Sequence, residues 1–195
     1  MKAVTKLGIL LVAVMMFMAP QAVNAQETEE VYPAQLSLFN PIQVFPQDTS
    51  IHGLRINLLY GANENVTGLD LGLANVTNGD LTGIGYGLIN YTGGNVYGAS
   101  EGLLTIVEGD VSGAAAGFVS YVNGELRGAQ MGLVSYASSA KGMQFGALNY
   151  TEDMEGFQLG LINWTQRLSG LQIGLINVAS DKEMLPVLPF INAAW

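Results

Sequence analysis

Glycine recurs along this chain at a fixed period, and that period constrains the fold more than any other feature. Pairs of glycines four residues apart occur as Gly68/Gly72, Gly83/Gly87, Gly98/Gly102, Gly113/Gly117, Gly128/Gly132, Gly142/Gly146, Gly156/Gly160 and Gly170/Gly174. An earlier copy begins at Gly53, with Asn57 in place of the second glycine, which makes nine copies. The copies are spaced by fifteen residues up to Gly128 and by fourteen beyond it. Such self-similarity marks a repeat architecture, in which a short unit that cannot bury a face alone is stabilised by its neighbours.

Counting from the first glycine, positions 2, 4 and 6 are apolar in most copies: Leu69/Leu71/Leu73, Ile84/Tyr86/Leu88, Phe157/Leu159/Leu161 and Leu171/Ile173/Leu175. Alternation with a period of two is a strand with one buried face, and the apolar side is expected to be the buried one. Position 3 carries Gln130, Gln144, Gln158 and Gln172, on the opposite side with the glycines of position 5. Position 8 is a column of short polar side chains, Asn75, Asn90, Thr105, Ser120, Ser135, Asn149, Asn163 and Asn177, suited to bonding backbone groups at a corner. Turn chemistry follows at positions 10 to 13, as in Thr77-Asn78-Gly79-Asp80 and Thr92-Gly93-Gly94-Asn95, before an apolar residue such as Leu81, Val96 or Val111. Tyr91, Tyr121, Tyr136, Tyr150 and Trp164 at position 9 form a second stripe with Ile89, Val119, Val134, Leu148 and Ile162. We read that stripe as completing the core, because a long exposed one invites aggregation.

Two all-β architectures satisfy this pattern. In a β-solenoid of nine units, like positions stack in parallel about 4.8 Å apart, and a corner can lose one residue without shifting the strands. In an antiparallel up-and-down meander, closed as a barrel, each unit is one strand and Asn78-Gly79 or Asn123-Gly124 is a hairpin turn. The solenoid is taken first, because it explains a polar column at one fixed place. The barrel's apolar face carries few large residues per strand for a hydrocarbon span. The expected organisation is a signal peptide at 1–25, a polar linker at 26–35, an N-terminal cap at 36–52, the repeats at 53–183 and a C-terminal cap strand at 184–195. Pro41, Pro46, Pro186 and Pro189 fall in the caps, where a residue that cannot donate to a ladder suits a terminal edge. The copies from Gly98 to Gly132, with Ser100-Glu101 and Ala114-Ala115-Ala116, are expected to stack less regularly.

Lys2 and Lys6 precede an apolar run from Leu7 to Met18, and Val23-Asn24-Ala25 is a small-residue exit before Gln26-Glu27-Thr28-Glu29-Glu30. This is the pattern of a secretory signal peptide, too short to span a bilayer. Without Lys2 and Lys6 the chain keeps five basic residues against 16 acidic ones, a formal charge of −11, which disfavours nucleic acid and anionic lipid as partners. Cysteine is absent, so stability in an oxidising compartment must come from burial and backbone pairing.

Residues able to do chemistry are few and isolated. His52 is the only histidine and reads as a strand-edge residue, so no catalytic residue, metal site or cofactor is assigned. Glu101 replaces an apolar residue at position 4 and reads as a locally exposed acid. Asp80, Asn95, Asp110 and Glu125 share position 13 and read as solvated turns, since calcium-loop spacing is missing. Asn65, Asn75, Asn90, Asn149 and Asn163 begin Asn-x-Thr triplets that follow from the repeat itself. A threonine row for regular-surface binding, Thr77, Thr92, Thr151 and Thr165, is interrupted by Val107, Val122 and Ala137.

The repeated GLQIGLIN, the segment HGLRINLLYGANENVTGLDLGLANV and the terminal LPVLPFINAAW resemble the leptospiral-type surface repeat proteins of spirochaetes and other Gram-negative bacteria, over nearly the whole span from Leu36 to Trp195. The resemblance implies export to the outer membrane, cell surface or periplasm, and carries no activity to transfer. The expected function is a non-enzymatic structural or adhesive envelope role, with an outer-membrane barrel of pore or scaffold role as the alternative. Expected partners are an envelope or host-surface component or a second copy; association with the membrane is left open.

Overall fold

A computed structural model describes residues 30–195, and the expected signal peptide lies outside them. The elements are β1 (Val31–Phe39), β2 (Ile42–Gln43), β3 (Ser50–Asn63), β4 (Val66–Thr77), β5 (Leu81–Thr92), β6 (Val96–Val107), β7 (Val111–Ala179) and β8 (Val187–Ala194). β3 to β7 form a β-solenoid. Each coil lies parallel on the next with like positions in register, Gly68 on Gly83, Leu71 on Tyr86 and Asn75 on Asn90. β7 carries the later coils without a break, and the glycine at position 1 of each still lies on the one before it. The up-and-down meander or barrel is thereby excluded, because neighbouring units run parallel and Asn78-Gly79 turns the chain within a coil.

The position-1 glycines mark a corner that only glycine can make. All nine, Gly53, Gly68, Gly83, Gly98, Gly113, Gly128, Gly142, Gly156 and Gly170, have positive φ, from 124° at Gly68 to 150° at Gly53. A Cβ on Gly113 would stand 2.0 Å from the carbonyl oxygen of Gly98, and the same clash recurs from coil to coil. Left-handed backbone and close approach therefore coincide at one place.

The interior is lined by positions 3, 8 and 10 and the apolar residue that closes the turn. Val66, Leu81, Val96, Val111, Leu126, Met154 and Leu168 are the last of these, buried in one cluster with Val107, Val122 and Ala137 from position 10. Through the middle coils position 3 is small (Gly85, Ser100, Ala115), and leucine and valine fill the space. These coils stack without any register shift, contrary to the irregularity expected there, since Ser100 and Ala115 fit the narrow interior while Glu101, Ala114 and Ala116 stand outside it.

The caps close both ends. β1 begins at Val31, inside the expected polar linker, and pairs parallel with β3, while β2 folds back antiparallel on β1. Gln35 donates to the Phe45 carbonyl at 2.8 Å, and Tyr32 stacks on Phe45. At the other end β8 pairs antiparallel with the last coil, and Asn192 reaches Gln172 at 3.0 Å. A reversed strand preceded by Pro186 and carrying Pro189 ends the stack.

Gly113→Ala should lower stability by at least about 2 kcal/mol, the combined effect of left-handed strain and backbone overlap. Thermal unfolding followed by circular dichroism measures it, and an unchanged midpoint would contradict this corner geometry.

Candidate functional site: an apolar sheet face

The alternating face is inverted relative to expectation. Positions 2, 4 and 6 point outward, with Leu69 45%, Leu159 41% and Leu161 55% exposed, while the glutamines and asparagines of positions 3 and 8 are buried inside. The position-5 glycines, Gly72, Gly87, Gly102, Gly117, Gly132, Gly146, Gly160 and Gly174, are corrected with them. They were expected on the side away from the core, and they belong to the inner side.

The physical reason lies in the pairing of glycine 5 with the polar residue at position 8. A Cβ on Gly87 would meet the Asn75 amide at 2.7 Å and that of Asn90 at 3.1 Å. On Gly72 it would meet the Asn75 amide oxygen at 2.5 Å and on Gly146 that of Asn149 at 2.8 Å; Gly160 and Gly174 meet their asparagines likewise. The absent side chain at position 5 is the space that the position-8 amide occupies, so the glycine face must be the inner one. Gly102 still crowds the Asn90 amide at 2.8 Å, although its own coil has Thr105 at position 8. The carbonyl of the preceding coil crowds every one of these positions as well: a Cβ would stand 2.5 Å from it on Gly87, 2.4 Å on Gly146, 2.7 Å on Gly117 and 2.8 Å on Gly132. The two glycines of the repeat thus differ in kind, since left-handed backbone occurs at position 1 and crowding alone excludes a side chain at position 5.

The amides form two ladders along the solenoid. Asn57 donates to Asn75 and Asn75 to Asn90, each at 2.8 Å; further on, Asn149 donates to Asn163 and Asn163 to Asn177, again at 2.8 Å. The second donor hydrogen of Asn57 goes to the Asp70 carboxylate at 3.1 Å, and those of the others go to main-chain carbonyls, as from Asn75 to Tyr86 and from Asn163 to Ile173. In the glutamine ladder Gln144 donates to Gln130, Gln158 to Gln144 and Gln172 to Gln158 at 2.7–2.8 Å. A primary amide is both donor and acceptor, so identical residues at sheet spacing satisfy one another without water. At the N-terminal end the ladder gives way to an ion pair: Arg55 bridges both oxygens of Asp70 and donates to the Val76 carbonyl at 2.7 Å.

The outer face is therefore a continuous apolar surface. Its central column runs from Leu36 on the N-terminal cap through Ile56, Leu71 and Tyr86 to Leu159, Ile173 and Ile191 on the C-terminal cap. Ten inter-strand steps make it about 48 Å long, and positions 2 to 6 make it about 13 Å wide. Beside it Tyr91, Tyr121, Tyr136 and Tyr150 of position 9 are half-buried and Trp164 is exposed, which corrects the reading of these residues as core, whereas Val76 and Ile106 at the same position are buried. Tyr121 and Tyr136 stack at 4.7 Å, and Tyr136 and Tyr150 at 5.4 Å. Burial pushes the phenols of Tyr91 and Tyr121 above their ordinary range.

The remaining candidates fall into place around this face. Glu101 is exposed on it, between Tyr86 and Ala116. His52 is exposed beside the position-1 corner. The position-13 row does not stand open to solvent for a cation: Asp80 accepts the main-chain N–H of Asn95 at 2.7 Å, Asn95 that of Asp110 and Asp110 that of Glu125. No group of acidic or histidine side chains suited to a metal occurs among the described residues. Thr77, Thr92, Thr151 and Thr165 are buried, so they present no regular outer row, and Asn75, Asn90, Asn149 and Asn163 are enclosed rather than available as glycan acceptors. Glu125, near the position-1 corner, is held below the usual carboxylate range chiefly by the hydrogen bond from Arg127.

Fold and face together define a class: a capped β-solenoid with an amide-laddered interior and an apolar outer sheet. Compared with known proteins, the chain matches no family model, no curated protein and no solved structure.

A pair of substitutions on adjacent residues tests the inversion. Gln158→Leu should destabilise by about 1–3 kcal/mol, because it interrupts the ladder. Leu159→Ser, on the outside, should shift stability by no more than about 0.5 kcal/mol. Urea unfolding of both reads the result, and the reverse order would mean that the leucines are the core.

Proposed function

We propose that this is a non-enzymatic, exported envelope protein with a structural or adhesive role, and that the apolar sheet face is its contact surface. The observation that carries this reading is the exposure of leucine, isoleucine and phenylalanine along a strip whose footprint is roughly 600 Å², at the upper end of the patches found on monomeric proteins. Such a surface binds by burial rather than by chemistry. The side chains that could perform acid–base work are scattered: Glu101 lies alone on the face, His52 stands at another corner, and Asp70 is committed to Arg55.

The repeat supports a rigid element. Every coil is hydrogen-bonded to both neighbours, each end is covered, and the interior has little freedom to rearrange. The signal-peptide pattern and the resemblance to surface repeat proteins supply the setting, an exported protein of a Gram-negative envelope.

Fractionation of the native host is the test. The protein is expected in the envelope fraction, resistant to salt and released by mild detergent, and Leu71→Asp with Leu159→Asp should move it to the soluble fraction. Recovery with cytosolic markers, or envelope retention unchanged by the two aspartates, would overturn the proposal.

A further inference from the structure

We infer that the partner of the apolar face is lipid: the solenoid lies flat on a zwitterionic bilayer, with its leucine columns at the boundary between headgroups and acyl chains. This rests on the preceding reading of the face as the contact surface.

The relief of the face selects a fluid partner over a second copy. In the columns of positions 2 and 4 it is bulky towards both ends, at Leu71 and Tyr86 and again at Leu159 and Ile173, and low in the middle, where Ala114 and Ala116 stand, while Leu103 and Phe118 of position 6 stand high beside that recess. A two-fold axis through the centre of the face opposes bulk to bulk and alanine to alanine, whether the solenoids run parallel or antiparallel. Two rigid sheets would then leave a void over the alanines, with the Glu101 carboxylate beside it. Acyl chains fill such relief without a matching shape.

The backbone is equally suited to hydrocarbon. Along the solenoid, main-chain groups are used in ladders from one coil to the next, so lipid contact on this face strands no row of N–H or C=O groups. Charge is arranged to match. Glu101 is the one charged side chain in the three outward columns of the repeats, over the alanine recess where headgroup and water reach it. Asp80, Glu108, Asp110, Glu125 and Asp153 occupy the turns on the other side of the interior. The net negative charge is thus held away from the bilayer, and attraction to anionic headgroups contributes nothing. The Tyr121–Tyr136–Tyr150 stack and the exposed Trp164 flank the face, and these are the residue types that favour the membrane interface.

Flotation of the purified protein with vesicles of pure phosphatidylcholine tests the inference. The protein is expected to float with the vesicles at low and high salt alike. Leu71→Asp with Leu159→Asp should lower the partition coefficient at least about tenfold with the β-type circular dichroism intact, and Glu101→Leu should raise it. Failure of the folded protein to float, or flotation untouched by the two aspartates, would overturn the inference. So would a lipid-free dimer in analytical ultracentrifugation that the aspartates dissociate, since the face is then closed by a second copy. If vesicles fail while retention in the host envelope still depends on Leu71 and Leu159, only the lipid partner is lost; if that dependence is absent too, the contact-surface reading falls with it.

Discussion

Main-chain hydrogen bonding between successive coils, in register, is the constraint from which the rest of this structure follows. It holds each residue about 4.8 Å from its counterpart in the next copy. Every position therefore has to tolerate a near-identical neighbour on both sides. Glycine does so at the left-handed corner, where Gly68 to Gly170 each lie against the carbonyl of the glycine before. Asparagine and glutamine do so inside, because a primary amide donates to one neighbour and accepts from the other. Unpaired charge cannot, and the one buried ion pair among the described residues joins two different residues of successive coils, Arg55 and Asp70, at the end of the stack where the repeat is least regular.

The same constraint explains why this interior is part polar. A coil of fourteen or fifteen residues encloses a narrow space, and the glycine at position 5 narrows the chain further to admit the asparagine of position 8. Where position 3 is small, from Gly85 to Ala115, valine and leucine from the turn side fill the core; where it is glutamine, from Gln130 to Gln172, the amide runs along the axis. Either filling leaves no room for three leucines per coil, so those stand outside.

The repeat and its period were legible from glycine spacing, and a polar column at one fixed place put the parallel solenoid ahead of the antiparallel meander that the turn chemistry left open. The side that faces water was not. Period-two alternation separates two faces of a strand without stating which is inner, and the rule that apolar residues go inside chose wrongly. The signal that could have decided it was present: glycine at position 5, as at Gly72 and Gly146, recurs together with the amides at positions 3 and 8, and the side crowded enough to require glycine is the packed one. The tyrosine column was misplaced by the same rule, since stacking on its own neighbours half-buries it without placing it in the core. The role of Asp80, Asn95 and Asp110 was invisible for another reason, because their acceptors are used by the backbone of the next coil and no local motif reveals that.

The caps give the last step of the argument. A cap needed only to protect the ladder ends could present polar residues outward on every side, as edge strands commonly do. Here both caps instead continue the apolar columns, with Leu36 beside Ile56 and Ile191 beside Ile173, while their inward residues Gln35 and Asn192 close the polar interior. The two ends thus follow the inside-out plan of the repeat although neither carries its glycine motif. An outer surface kept apolar across nine coils and both caps, Glu101 excepted, and through the reversal of strand direction at β8, is consistent with the contact role proposed for it.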